Sequence, residues 1–191
     1  MVIKKIAILF SGSGTNLENI LKKLHNKVFG DVKIEVALTL CNKESVLGIE
    51  RSRKYGIEPV IVLNKDFSTR EEFDKKLVEV IKFHDIDLVV LAGFMRILTP
   101  AFTDNVTAIN LHPSLLPLFK GANAIKDSFE ADVSEGGVSV HFVNAELDGG
   151  EIILQQSFKK TKGMSFTEFE DKIHKIEYEI LPQAIIKLLT R

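Results

Sequence analysis

An asparagine and a histidine two positions apart are the residues best suited to perform chemistry. Asn110 and His112 lie in the run 108–117, which reads AINLHPSLLP. The apolar start of this run predicts the end of a strand, where alternate residues point to the same face. Pro113 favours an extended conformation at His112. A carboxamide beside an imidazole would stabilise negative charge on a carbonyl oxygen. Without the Pro-Ser-Leu-Leu-Pro continuation, the pair would instead indicate a strand end and a polar loop residue.

A glycine-rich turn near the start of the chain is a second candidate site. The apolar run 6–10 predicts a buried strand of a parallel sheet, and helical spacing begins at Leu17. The residues between them, 11–16, read SGSGTN. Such a turn presents backbone N–H groups and the positive end of a helix dipole to an anion. It lacks the third glycine of a dinucleotide site and the Lys-Ser/Thr of a triphosphate site. Two interpretations remain open: the turn binds a single phosphate, or it is a plain strand-to-helix connection.

The order of the predicted elements indicates the α/β class. Apolar strands alternate with amphipathic helices, which predicts a mostly parallel, doubly wound (Rossmann-like) sheet, ending in an antiparallel hairpin and a long C-terminal helix. Capping-box patterns predict helix starts at Thr15, Ser68 and Ser165, and Pro182 is expected to kink or break the last helix. Ligands of such sheets bind beyond the carboxyl ends of the strands, where the segment 93–98 would contact a flat ligand.

Several motifs, in matching order, resemble the folate-dependent formyltransferase family. They are the run 110–117, the preceding LAGFMRIL of residues 91–98, and the later VHFV and LDGG at 140–143 and 147–150. The resemblance covers nearly the whole chain, as one formyltransferase domain spanning residues 1–191. It implies transfer of the formyl group of 10-formyltetrahydrofolate to the amine of 5′-phosphoribosylglycinamide, in purine synthesis, through a tetrahedral oxyanion.

The resemblance also implies roles for individual residues. Asn110 and protonated His112 would donate hydrogen bonds to the oxyanion. Asp148 would keep His112 charged and, with a water, move protons between the amines, and His141 would be a neighbouring group. The ribonucleotide would be bound by Gly12, Ser13, Gly14, Thr15, Asn16 and Glu177, and the folate by Arg70, Met95, Arg96, Ile97, Leu98 and Asn110.

Three of these residues have plainer readings. Asp148-Gly149 is a strong hairpin-turn signal by itself, Arg70 suits an exposed first helical turn, and Glu177 suits an exposed helix surface. Tyr178 departs from the histidine that the family usually has beside that glutamate.

Composition sets the remaining expectations. The chain has 191 residues, 45% of them hydrophobic and 27% charged, which is ordinary for a globular domain. The net charge of −1 argues against a general nucleic-acid binder. Cys41 is the single cysteine, which fits a reducing compartment, and the apolar start is too short for a signal peptide. No histidine pair has helical metal-ligand spacing. We expect a cytoplasmic monomer or homodimer that acts on small molecules, without metal, membrane or nucleic acid.

Three alternatives stay open. Methionyl-tRNA formyltransferase shares the chemistry but adds a C-terminal domain, and formyltetrahydrofolate hydrolase adds an N-terminal one; neither is expected in 191 residues. A non-catalytic phosphate-binding module is the alternative of a different class. In that module the glycine turn would bind its ligand, and Asn110, His112 and Asp148 would be incidental.

Overall fold

The computed structural model describes residues 1–190, which are built on one eight-stranded sheet. The strands are β1 (Val2–Phe10), β2 (Lys27–Phe29), β3 (Val32–Cys41), β4 (Val60–Ile61), β5 (Leu88–Leu91), β6 (Ala108–His112), β7 (Glu135–Phe142) and β8 (Ile152–Lys159). The helices are α1 (Thr15–Leu24), α2 (Leu47–Lys54), α3 (Arg70–Phe83), α4 (Pro100–Thr103), α5 (Ala124–Glu130) and α6 (Phe166–Leu189). No helix within residues 1–190 has the length and apolar character needed to cross a membrane.

The strand order is β2-β3-β1-β5-β6-β7-β8, and β4 lies off this path, paired to the last two residues of β3, Leu40 and Cys41. β1 runs parallel to β3 and β5, and β5 runs parallel to β6. β7 and β8 then add to β6 as antiparallel strands. The predicted α/β class, with a parallel centre and a late antiparallel hairpin, is confirmed. The carboxyl ends of β1, β5 and β6 lie side by side at one edge, where the site is expected.

Two hydrophobic cores cover the two faces of the sheet. Ile6, Ile8 and Phe10 point into a core shared with α1 and α6, whereas Ala7 and Leu9 point into a core shared with α3. Because β1 is buried on both faces, its sequence is apolar without alternation, as is typical of a central parallel strand. Helices therefore cover both faces of the sheet, as in a doubly wound fold, and this packing fixes the position at which each central strand ends.

The capping-box predictions for α3 and α6 have different outcomes. Ser165 caps α6 and forms the box with Glu168, as predicted. The box predicted at Ser68 is wrong by one residue, because Thr69 caps α3 and pairs with Glu72. Ser68 with Glu71 and Thr69 with Glu72 both place an acidic residue three positions after a hydroxyl residue, so the sequence pattern alone does not distinguish the two boxes.

The box predicted at Thr15 does not form. Gly14 occupies the N-cap position of α1 with φ of 72° and no side-chain cap, and Glu18 pairs with Arg51 instead. A Cβ on Gly14 would lie 2.6 Å from the Cα of Gly48. The start of α1 is therefore set by close backbone packing against α2, which only glycine allows here.

Pro182 neither breaks nor ends the last helix, contrary to the prediction. α6 is continuous over 166–189 with Pro182 inside it. A proline removes the N–H that would bond the carbonyl four residues earlier, which is that of Tyr178. Asn19 Nδ2 and Lys23 Nζ of α1 donate to this carbonyl at 2.9 Å and 2.6 Å. Donors from the neighbouring helix thus replace the missing bond, and α6 continues.

Candidate active site

A cleft of about 330 Å³ opens at the carboxyl ends of β5 and β6. One wall is the segment 93–98 that follows β5, and the opposite wall is the loop 143–148 that follows β7. Asn110 and His112 lie between the two walls. The structure thus brings the predicted folate-binding segment and the two predicted oxyanion donors into one cavity. This cavity lies at the edge of the sheet where open α/β folds bind ligands.

Asp148 contacts both predicted oxyanion donors. Its Oδ2 lies 3.5 Å from His112 Nδ1, and its Oδ1 accepts a hydrogen bond from Asn110 Nδ2 at 3.4 Å. Asp148 and His112 are both buried, with 9% and 4% of their surface exposed. The tertiary contact between Asp148 and His112, which the local hairpin signal left open, is present.

The loop after β7 brings Asp148 to this position by folding back on the strand. Gly149 N donates to the carbonyl of Glu146, so Asp148 does lie in a turn. Asp148 has φ of 49°, a conformation that aspartate tolerates better than most residues. The Cβ that Gly150 lacks would collide with the carbonyl of Phe142. The aspartate is therefore both a turn residue and a residue of the cleft.

The two ring nitrogens of His112 face two different acceptors. Nε2 lies 2.8 Å from the carbonyl oxygen of Phe119, which can only accept, so Nε2 carries a proton. Nδ1 faces Asp148. A ring protonated on Nε2 alone would direct the lone pair of Nδ1 at the carboxylate, whereas a doubly protonated ring donates to both neighbours. A proton on Nδ1 would therefore point toward Asp148 and the cleft.

His141 supports the Asn110 side chain from β7. Its Nδ1 lies 2.8 Å from the carbonyl of Phe142, so that nitrogen donates. Its Nε2 lies 3.1 Å from Asn110 Nδ2 and 3.6 Å from Asp148 Oδ1. The shorter contact is the better hydrogen bond, and it requires a neutral ring that accepts from the amide. His141 thereby fixes which way the Asn110 amide points.

Asp148 stays ionised despite its burial. Burial alone would raise the pKa of Asp148, but the donors around the carboxylate outweigh it and hold that pKa below its ordinary value. These donors are His141 when its ring is protonated, the N–H of Gly121 at 2.8 Å, and the positive charge of a protonated His112. The N–H of Gly121 donates to this carboxylate whatever the protonation state of the two histidines.

The segment after β5 forms a largely apolar wall of the cleft. Met95 and Ile97 are 63% and 51% exposed, whereas Leu98 is buried beneath them. The guanidinium of Arg96 lies over the ring of Phe73, 5.8 Å from its centroid. Exposed apolar side chains at the mouth of a cleft suit the face of a flat heterocycle. The residues present therefore fit a pterin.

The glycine turn lies at the end of β1, next to this wall but outside the cleft lining. Ser11 joins the two, because its hydroxyl donates to Asn42 at 2.6 Å and accepts from Met95 N at 2.8 Å. Ser13 is exposed in the turn, and Thr15 begins α1. The positive end of α1 is thus directed at the surface beside the cleft, as an anion site requires.

Glu177 is buried beside the glycine turn and is not the exposed helix residue that its local sequence permits. It is 6% exposed, and its Oε2 accepts from Asn16 Nδ2 at 3.2 Å and from His174 Nδ1 at 2.9 Å. The hydrogen bond that His174 donates to Glu177 raises the pKa of His174, and burial partly opposes this rise. A buried carboxylate here offers an acceptor to a hydroxyl-bearing ligand that also contacts the turn.

Arg70 lies apart from these residues. It is exposed at the first position of α3 and is not among the residues that line the cleft. Its predicted contact with folate stays a prediction. Within residues 1–190 no group of three or more histidine, cysteine, aspartate or glutamate side chains is arranged to hold a metal ion.

Two backbone groups of the site were not predicted. The Phe119 carbonyl orients His112, and the Gly121 N–H binds Asp148. Both act through the main chain, so no side-chain type signals them. Phe119 and Gly121 have φ of 56° and 90°, and the glycine is the one local sign that the loop adopts an unusual backbone.

Comparisons with known proteins agree with this geometry. The family model described as "Formyl transferase" matches residues 4–185. The phosphoribosylglycinamide formyltransferase of Haemophilus influenzae is 40% identical over 185 residues, covering 96% of this chain and 86% of that protein. The trifunctional purine biosynthetic protein adenosine-3 of Chironomus tentans is 37% identical over 184 residues, and the chain spans only 13% of its length.

A solved structure extends the similarity to the whole fold. The crystal structure of phosphoribosylglycinamide formyltransferase from Campylobacter jejuni superimposes with a TM-score of 0.96 at 57% sequence identity, and the match covers 98% of each chain. Family model, sequence and fold agree over nearly all of the chain, so it belongs to the formyl transferase family and groups there with the phosphoribosylglycinamide formyltransferases.

Proposed function

We propose that this chain transfers the formyl group of 10-formyltetrahydrofolate to the primary amine of 5′-phosphoribosylglycinamide. The observation that carries the proposal is the convergence of Asn110, His112 and Asp148 in one cleft opposite the apolar segment 93–98. Relatives from Haemophilus influenzae and Campylobacter jejuni bear the name of this activity. Both substrates are small molecules, so the reaction needs no nucleic acid or membrane partner.

Two neighbouring regions would divide the substrates between them. The pterin of the formyl donor would lie against Met95, Ile97 and Leu98. The phosphate of the ribonucleotide would accept hydrogen bonds from the turn 12–16, at the N-terminus of α1, and its ribose would donate to Glu177. Ser11 directly precedes the turn and accepts a hydrogen bond from Met95 N at 2.8 Å, so the two regions adjoin, which would place the amine next to the formyl carbon.

The chemistry would proceed by attack of the amine on the formyl carbon, which forms a tetrahedral oxyanion. Asn110 Nδ2 and His112 Nδ1 would donate to this oxygen, since both groups lie at the cleft and contact Asp148 only weakly, at 3.4 Å and 3.5 Å. Asp148 would stabilise the imidazolium and, through a water, accept the proton that the attacking amine releases. Collapse then breaks the C–N bond to the folate, whose nitrogen receives a proton.

A three-arm assay tests the proposal. In the first arm the purified chain is incubated with 10-formyltetrahydrofolate and 5′-phosphoribosylglycinamide. The second arm contains the formyl donor alone, and the third contains the donor and ribosylglycinamide without the phosphate. Formylated ribonucleotide should accumulate in the first arm, with little product in the others. Formate release in the second arm at the rate of the first would identify a hydrolase. No turnover in any arm, with the ribonucleotide still bound, would favour a phosphate-binding module.

A further inference from the structure

The carbonyl that orients His112 belongs to a loop that is held in an unfavourable conformation. Phe119 has φ of 56°, a left-handed conformation that non-glycine residues rarely adopt. Such a conformation persists only where surrounding contacts enforce it. Ser114 supplies two of these contacts, because its hydroxyl donates to the carbonyl of Leu118 at 2.7 Å and lies 3.3 Å from that of Phe119. Ser114 therefore holds the carbonyl directly before the one that His112 Nε2 contacts, and its hydroxyl lies beside both.

A second serine holds the turn that contains Ser114. Ser139 lies opposite His112 in the β6–β7 pair and is fully buried. Its hydroxyl donates to the Ser114 carbonyl at 2.6 Å and accepts from Leu116 N at 3.1 Å and from Gln155 Nε2 at 2.7 Å. A hydroxyl has one donor and two acceptor sites, so its whole hydrogen-bonding capacity is used to fix the turn.

We propose that Ser114, Ser139 and Gln155 form a positioning relay for His112. The relay runs from the edge strand β8 to the buried face of β6, and it holds the Phe119 carbonyl against Nε2. The partner of one ring nitrogen decides which nitrogen carries the proton. With Nε2 committed to Phe119, Nδ1 faces Asp148 and the cleft. The catalytic consequence rests on the proposed function, whereas the effect on the ring does not.

Ser114→Ala is the direct test, and the ring of His112 is read without any substrate. In ¹⁵N-labelled protein at about pH 9, where a histidine ring is ordinarily neutral, we expect the wild-type proton on Nε2. Ser114→Ala should give a mixture of both tautomers. In the assay its kcat should fall about tenfold, close to the effect of one hydrogen bond, with both KM values within about twofold.

Two further variants separate the relay from loss of stability. Gln155→Ala changes an exposed residue on an edge strand, so it should fold, and it should shift the tautomers and kcat in the same direction by less. Ser128→Ala is the matched control, because Ser128 is equally buried but donates to the Ile125 carbonyl within α5. It should leave the ring and kcat unchanged.

The outcomes distinguish this inference from the proposed function. A wild-type ring spectrum in both Ser114→Ala and Gln155→Ala would overturn the relay, and so would equal losses of kcat in Ser114→Ala and Ser128→Ala. Should Ser114→Ala fail to fold, Gln155→Ala alone decides the matter by the same two readouts. A shifted ring in a protein whose wild type shows no formyl transfer would support the relay and refute the proposed reaction.

Discussion

Replacing Asp148 with asparagine removes one charge from the cleft and little else. Its carboxylate lies 3.5 Å from His112 Nδ1, with both side chains buried. At that separation opposite unit charges attract by about 5 kcal/mol when the effective dielectric constant is ~20. Desolvation of the pair offsets much of this attraction, and we take on the order of 1–3 kcal/mol as the net support for the imidazolium. Because the imidazolium would be needed in the transition state, and each 1.36 kcal/mol is a factor of ten in rate, the expected loss in kcat is roughly 5–150-fold.

The variant should fold and bind normally. Asparagine has the size of aspartate and tolerates the φ of 49° at this position. Its amide oxygen still accepts from Gly121 N, which Asp148 binds at 2.8 Å. The melting temperature, the KM of the ribonucleotide and the dissociation constant of the folate should thus change little, which separates a defect in the chemical step from a defect in the fold.

The pH dependence gives a second, independent readout. The pKa of Asp148 is lowered in the fold, so its stabilising effect is present above the pKa of an unfolded aspartate, about 3.9, and is lost as the pH falls through the lowered folded-state value. The Asp148 carboxylate should therefore support wild-type activity at every pH above this lowered value. Residual activity of Asp148→Asn should instead rise toward acid pH, where a histidine ring is ordinarily protonated without help from a carboxylate.

A matched control and a clear refutation complete this test. Asp87 accepts from Lys5 N at 2.8 Å and from Lys4 Nζ at 2.9 Å, at the opposite end of the sheet. Asp87→Asn removes a comparably bonded carboxylate and should leave kcat unchanged. A folded Asp148→Asn with near-normal kcat at neutral pH would leave Asp148 as a turn residue, and the proposed proton transfer would lack its base.

Three other substitutions probe separate parts of the site. Asn110→Ala removes one oxyanion donor and should lower kcat by roughly 10²–10³-fold with both substrates still bound; a change of only a few-fold in steady-state rates would contradict that role. Gly14→Val places a Cβ 2.6 Å from Gly48 Cα, so it should raise the KM of the ribonucleotide, while calorimetry finds the folate dissociation constant unchanged; equal weakening of both ligands would refute this assignment. His174→Gln should lower the melting temperature at about pH 5.5 and much less at about pH 9. The Glu177 hydrogen bond raises the folded-state pKa of His174, so its stabilisation is full below the unfolded value of about 6.5 and is lost as the pH rises through the folded one. A deficit of equal size at both pH values would be inconsistent with that pair.

The sequence predicts the centre of this fold well because its signals there are local. The strands β1, β5 and β6 are uninterrupted apolar runs between turn residues, and burial on both faces is enough to produce that pattern. β2, by contrast, was not predicted. It has three residues, Lys27–Phe29, and exists through antiparallel pairing with β3. So short a segment has no periodicity of its own, and its partner decides its conformation.

The candidate site likewise contains residues that local sequence predicts and residues whose roles depend on tertiary contacts. Asn110 and His112 were predicted to share a face because strand geometry alone places them there. The local signal at Asp148-Gly149 specifies a turn but not what the turn contacts, and the contact with His112 depends on the pairing of β6 with β7. Ser139 gave no signal, because a serine in an apolar strand is ordinary until its three partners are known.

Pro182 shows that a carbonyl left without a donor inside one helix can be satisfied by side chains of a neighbouring helix. Its sequence position identifies the group that loses a partner, the carbonyl of Tyr178, since a proline always removes the donor four residues on. A helix end is one way to satisfy that carbonyl, and a donor from outside is another. Asn19 and Lys23 provide the second solution here, and the helix therefore continues past Tyr178 to Leu189 without leaving that carbonyl unpaired. The sequence defines the unpaired group, but only the packing of α1 on α6 determines how it is satisfied, and with it the position of the buried glutamate beside the glycine turn.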